Sequence, residues 1–199
     1  YAQSGSGNGL TQVRSYSRWY YGHRHDALEA IGRVRKIHTR IIGTLPDGTP
    51  YRADDPALLA WVHLTETISF LDAWCRFAEP RMSQIDRDAY VHDMARIGRL
   101  LGADPVPDTE FEARRQMQRS RVMLTCDMRT DTVRDLLLDQ PLSLPGGRAT
   151  QRLLMQAAID LLPFWARRLH GIPSSGPGMP AVSAATLGMA RTIRWAFRN

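Results

Sequence analysis

The sequence predicts an all-α protein, a single domain built as a bundle of seven or eight helices. Three observations indicate this class. Apolar residues recur at three- and four-residue steps in several long stretches, as on the buried face of an amphipathic helix. Helix-capping residues precede these stretches, and Gly or Pro follows them. Alternating strand patterns and internal repeats are lacking. A chain of 199 residues is long enough to bury a substantial core.

Periodicity and capping signals place each element in turn. Asp26 and Asp55 are predicted N-caps, Pro56 opens the helix that Asp55 caps, and Ser83 begins a capping box. Pro163 is expected to bend a long helix near the end of the domain. The predicted helices span residues 10–21, 27–42, 56–77, 83–101, 109–118, 122–138, 148–170 and 181–196.

Loops and domain boundaries follow from Gly, Pro and Ser. Residues 1–9 are predicted to be a disordered or remnant lead. Residues 44–55 form a loop with a turn at Pro46-Asp47-Gly48. The helical domain is expected over residues 10–172. Residues 173–199 contain a Pro/Gly linker and a short helix.

The charge of the chain is made almost wholly of arginine. The formal net charge is +6, and of 26 basic residues only Lys36 is a lysine. A basic chain favours an anionic partner such as nucleic acid, but these arginines are scattered and form no basic run. Lysine-based chemistry therefore has one candidate at most. No apolar run is long enough to cross a membrane.

Familiar metal and nucleophile motifs are missing from the sequence. Cys75 and Cys126 cannot form a four-thiolate zinc site, and there is no HExxH, CxxC or GxSxG element. His23 and His25, next to Asp26, could chelate a metal, although solvent-facing histidines are the commoner case.

Two histidines on predicted helices remain as candidates. His38 shares an apolar helix face with Leu28 and Ile31, and Arg35 lies three residues before it on the same side. His63 is surrounded by apolar residues on the next helix. Such histidines are often hydrogen-bonded core residues. An imidazole with an arginine one turn away could equally bind a haem through nitrogen and propionate.

A longer pattern points to a known family. The run Arg35-Lys36-Ile37-His38 is followed by Tyr51-Arg52-Ala53-Asp54-Asp55-Pro56 and then by Leu59-Ala60-Trp61-Val62-His63-Leu64-Thr65. With Ile97-Gly98-Arg99 and Leu162-Pro163-Phe164-Trp165, these segments resemble the MpaB and latex-clearing-protein superfamily. The likeness covers about residues 10–172. It implies an all-α fold that encloses a b-type haem, and an oxygenase activity.

The resemblance implies a role for five residues. His38 matches the proximal haem ligand, and Arg35 would lie close to the haem edge. Thr11 is similar to a threonine near the haem, while His63 and Trp61 would line or support the pocket. His63 could act as a distal hydrogen-bond donor or proton shuttle. The lysine that precedes this threonine in the latex-cleaving branch is Leu10 here, which would leave the iron open to water, dioxygen or substrate.

Two functional hypotheses follow. The first is a haem b-dependent oxygenase that acts on a hydrophobic small molecule with dioxygen, located in the cytoplasm and without a nucleic-acid partner. The second is a non-catalytic, basic helical regulator or DNA- or ligand-binding module, which the high sequence pI of about 9.9 favours.

Overall fold

The structure is a computed structural model that describes residues 24–45, 47–139, 147–173 and 188. These residues contain seven α-helices and one small pair of strands, which confirms the predicted all-α class. The helices are α1 (Arg24–His38), α2 (Pro56–Ala73), α3 (Gln84–Leu101), α4 (Glu110–Ser120), α5 (Met128–Asp139), α6 (Gly147–Leu161) and α7 (Phe164–Leu169). The predicted lead over residues 1–9 and the helix over 10–21 lie outside the described residues, as does the helix over 181–196 except for Gly188.

A short hairpin follows α1 where the sequence predicted only helix and loop. Strands β1 (Ile42–Thr44) and β2 (Pro50–Arg52) pair antiparallel, with Ile42 opposite Arg52. The predicted turn lies between them, where Gly48 adopts a φ of +87°. Every strand residue is exposed. Three exposed residues per strand leave no alternating pattern, so the sequence could not indicate these strands.

The described chain forms two compact units. The first contains α1, the hairpin, the start of α2 as far as His63 and residues 95–106. Ala60, Ala95 and Ala103 are buried in it, and the N–H of Asp104 donates to the carbonyl of Pro56 at 3.1 Å. The predicted cap of α2 is confirmed, since the N–H of Leu58 donates to Oδ1 of Asp55 at 2.9 Å.

The second unit contains residues 64–94 and the chain from residue 107 onwards. Its core includes Leu64, Leu71 and Val91, all of which are almost fully buried. One acidic side chain, Glu110, is also buried there. The Nε of Arg114 donates to Glu110 at 2.7 Å, so the buried carboxylate is paired.

Three other hydrogen-bonding groups complete this network. The amide of Gln84 donates to Glu110 at 3.1 Å, and the Nη2 of Arg114 also contacts Asp72. The N–H of Glu110 donates to Asp88 at 2.8 Å. The network therefore ties the start of α4 to residues from α2 and α3.

Two helix predictions in this unit are wrong at their boundaries. The helix expected over 122–138 begins only at Met128, because Asp127 caps it and accepts from the N–H of Thr130 at 3.0 Å. The helix expected over 148–170 is divided rather than bent. α6 ends at Leu161 and α7 begins at Phe164, since Pro163 has an extended ψ of 146°.

Candidate active site

His38 is the last residue of α1 and carries the most conspicuous polar atom of the first unit. Arg35, Lys36 and His38 occupy the last turn, where cationic side chains suit the negative end of the helix dipole. His38 is half-buried, and its Nδ1 is buried with no hydrogen-bond partner among the described residues. Leaving a buried polar atom unpaired costs about 1–3 kcal/mol. This nitrogen is therefore a candidate to bind a group that the described residues do not include.

Arg35 lies one turn before His38 on the same side of α1. Its Nη1 donates to the carbonyl of Leu100 at 3.4 Å, near the end of α3, where helix carbonyls lack intrahelical partners. Within the described part of the chain, the exposed Arg35 guanidinium makes no ion pair with a carboxylate. It can therefore receive an anionic group without breaking an existing salt bridge.

The hairpin adds a charged pair close to this histidine. Arg52 holds Asp54 through two hydrogen bonds, from Nε to Oδ1 at 2.9 Å and from Nη2 to Oδ2 at 2.8 Å. The hydrogen bond from Arg52 lowers the pKa of the Asp54 carboxyl. Asp54 is thus an ionised carboxylate that Arg52 holds at the end of the hairpin.

His63 is buried on α2 against the backbone of α3. It is only 7% exposed. A Cβ placed on Gly98 would lie 2.6 Å from Cδ2 and 2.8 Å from Nε2 of His63, closer than any side chain tolerates. Gly98 therefore leaves the space that the imidazole fills, and the ring is fixed against α3.

The other two predicted site residues are placed differently. Trp61 is partly exposed on α2. Because it lies two positions before His63, it projects about 200° around the helix from that residue. The two side chains thus point to nearly opposite sides of α2. Thr11 lies outside the described residues.

A second cluster of titratable groups occurs in the other unit. The thiol of Cys126 lies 3.7 Å from Nδ1 of His170 and 3.6 Å from Oδ1 of Asp131. Arg134 donates to both Asp131 and the carbonyl of His170, each at 2.6 Å. Desolvation, together with the hydrogen bond to Asp131, raises the pKa of the Cys126 thiol. A thiol held protonated in this way is a poor nucleophile and a poor metal ligand.

Comparison with known families decides what kind of domain carries these residues. The model for the catalytic domain of ER-bound oxygenase mpaB/B′ and rubber oxygenase matches residues 7–195. The chain belongs to this family. No curated protein and no solved structure matches it.

Membership of the mpaB/rubber oxygenase family supports an oxygenase activity, which is the general part of the first hypothesis from the sequence. The match extends over both compact units and includes every candidate site residue. Among the described residues, no helix has the length and apolar character needed to cross a membrane.

A haem group, which the resemblance implied for this family, can be tested against the residues present. The unpartnered Nδ1 of His38 shows that the imidazole has an unused nitrogen. Arg35, one turn away and free of a carboxylate partner within the described chain, is the side chain that binds a propionate. An imidazole nitrogen can bind haem iron and a guanidinium can bind a propionate, so the chemistry of these two residues is compatible with the group.

Sequence reasoning missed two features of this site. The role of Gly98 was not assigned, although a glycine inside a helix is unfavourable and so signals a close approach. The pairing of Arg52 with Asp54 was also missed. The sequence signal for this ion pair was the two-residue spacing of Arg52 and Asp54 at the end of the predicted loop. Such a spacing is too common to distinguish an ion pair from two solvated charges.

Proposed function

We propose that this chain is a haem b-dependent oxygenase that acts on a hydrophobic small molecule with dioxygen, and that His38 is the proximal ligand of the iron. The observation that carries the proposal is the buried Nδ1 of His38, which has no partner in the described part of the chain. Family membership supports the oxygenase activity independently.

The protein residues would hold and orient the cofactor. His38 would bind the iron, and Arg35 would form charge-assisted hydrogen bonds to a propionate. Haem b, when bound, supplies the dioxygen chemistry that no amino-acid side chain provides.

The remaining site residues would shape the surroundings. His63 is buried, and its ring packs against Gly98. It would therefore act as a fixed hydrogen-bonding group or a support for the pocket. Trp61 would contribute apolar surface on the other side of α2, and Thr11 would supply a hydroxyl near the haem.

An absorption spectrum tests the proposal directly. The chain supplied with haem should show a Soret band, and the pyridine haemochrome of the extracted cofactor should be that of a b-type haem. The variant His38→Ala should lose the band while keeping the far-UV circular dichroism of a helical protein. His25→Ala is the matched control, because His25 is an exposed histidine on the same helix and should leave the spectrum unchanged.

The contribution of Arg35 has its own test. Arg35→Gln should weaken haem binding about tenfold, the effect of one charge-assisted hydrogen bond, and Arg35→Lys should restore part of it. A chain that binds no haem, or a His38→Ala variant that binds it as tightly as the unaltered protein, would contradict the assignment.

A further inference from the structure

The second unit presents apolar and basic side chains together around one shallow cleft. The cleft has a volume of about 390 Å³ and is lined by Gln118, Arg121 and Val122 and, from α7, by Trp165 and Leu169. We call the surface around it the cleft face. It consists of the five residues that line the cleft and of their exposed chain neighbours Arg119, Met123, Phe164 and Arg168.

Three large apolar side chains of the cleft face are exposed. Val122 is 89% exposed, Met123 is 75% exposed and Phe164 is 68% exposed. Val122 and Met123 lie in the 3₁₀ turn Arg121–Met123 that follows α4, and Phe164 begins α7 beside Trp165. Apolar residues gathered at one place on a surface indicate a binding site more strongly than the same residues scattered singly.

The charge of this region has one sign. Residues 113–126 contain four arginines and no acidic residue, and residues 161–173 contain two arginines and no acidic residue. Of these, Arg114 is neutralised by Glu110 and Asp72. Glu112 and Asp127 flank the first stretch and Asp160 precedes the second. Asp127 is paired with Arg129 at 2.7 Å, and Asp160 is buried. The cleft face is therefore positively charged.

Arg121 is held in place without being neutralised. Its guanidinium stacks over the ring of Trp165, 4.8 Å from the centroid, and its Nη1 donates to Gln118 at 2.7 Å. Within the described residues it has no carboxylate partner. The geometry thus keeps a cation and a tryptophan together at the mouth of an apolar cleft.

We propose that the cleft face docks on the surface of an anionic lipid bilayer. The exposed Val122, Met123 and Phe164 would enter the boundary between headgroups and acyl chains, while the arginines and Trp165 would remain at headgroup level. Nucleic acid would attract the arginines but would give the exposed apolar side chains nothing to bury. Anionic lipid satisfies both features. This docking does not depend on the proposed haem chemistry.

Vesicle flotation with the full chain tests the proposal. The protein should bind vesicles of phosphatidylglycerol mixed with phosphatidylcholine, should bind pure phosphatidylcholine much more weakly, and should be released by salt. Val122→Ser combined with Met123→Ser should reduce the partition coefficient at least about tenfold. Arg119→Gln and Arg121→Gln should each reduce it about fivefold.

Two matched controls separate this face from the general surface of the unit. Ile85→Ser changes an apolar residue of α3 that is 81% exposed, and Arg81→Gln removes an exposed arginine in the same unit. Both should bind like the unaltered chain, and all variants should keep the helical circular dichroism signal.

Several results would overturn the proposal. They are a lack of flotation with anionic vesicles, equal losses in the control and cleft-face variants, and equal binding to neutral vesicles. A stable dimer in light scattering that dissociates in the Val122→Ser, Met123→Ser variant would also overturn it, since a second copy of the chain would then cover the cleft face.

Discussion

Among the described glycines, Gly98 is the one at which an added side chain would have the least room. Its missing side chain makes way for the ring of His63, whose Cδ2 would lie 2.6 Å from a Cβ. Alanine would gain about 1 kcal/mol of helix propensity over glycine. Forcing an atom into a packed site typically costs more, about 1–3 kcal/mol. At this position steric exclusion therefore outweighs the propensity of the helix.

Gly98→Ala should consequently lower the free energy of unfolding by about 1–2 kcal/mol. Urea denaturation measures this change. Gly32→Ala is the matched control, because Gly32 is also inside a helix but has no heavy atom within 4 Å of its would-be Cβ. That substitution should leave stability unchanged or raise it by up to about 1 kcal/mol.

In a His63→Ala background the cost of Gly98→Ala should disappear. Persistence of the cost there would refute the contact with His63 as its cause.

At the scale of the element, α4 illustrates how a helix start is fixed by one side chain. Thr109 has an extended φ of −131° and ψ of 157°, and its Oγ1 accepts from the N–H of Glu112 at 3.3 Å. Thr109→Ala leaves that donor without its partner and should lower the free energy of unfolding by about 1 kcal/mol. Thr109→Ser keeps the hydroxyl and should cost much less. Urea denaturation measures both changes. An equal loss of unfolding free energy in the two variants would show that the Thr109 methyl group, and not the capping hydrogen bond, stabilises the protein.

Capping residues also explain how much of the fold the sequence could predict. The start of α2 at Pro56 and of α3 after Ser83 was predicted correctly, because the cap is a local hydrogen bond encoded within four residues. The start of α5 was misplaced since periodic apolar residues run on from Val122, although Asp127 caps the helix only at Met128. Val122 and Met123 are exposed, so here periodicity reflects a surface and not a buried face.

The candidate site was predictable to the same degree. The helices that carry His38 and His63 were found from their periodicity, with α1 ending four residues earlier than expected. The contact of His63 with Gly98 joins residues thirty-five positions apart. Local sequence pattern contains no information on such a contact. It also does not tell whether the Nδ1 of His38 has a hydrogen-bond partner.

At the scale of the whole molecule, carboxylates paired with arginine make stability depend on pH. Burial alone would raise the pKa of Glu110, but hydrogen bonds from Arg114 and Gln84, aided by the charge of Arg87, outweigh it and hold the pKa below its ordinary value of 4.5. Hydrogen bonds from arginine also lower the pKa values of Asp54, Asp127 and Asp135. Asp127 and Asp135 are exposed, and the half-buried Asp54 pairs with an exposed arginine, so salt screens these pairs and Glu110 should dominate.

The sign of the effect follows from proton uptake. In the unfolded chain Glu110 binds a proton near pH 4.5, whereas in the folded chain it does so only at lower pH. The stabilisation is therefore fully present above about pH 5 and is lost as the pH falls through the folded-state pKa of Glu110.

The melting temperature should stay level near neutrality and decline with acidification below pH 4.5. Glu110→Gln removes the titrating group and should flatten that decline, while Asp139→Asn, at an exposed carboxylate without an ion pair in the described chain, should not. If both variants kept the acid decline of the unaltered chain, the buried network around Glu110 could not be its source, and the exposed pairs would have to account for it.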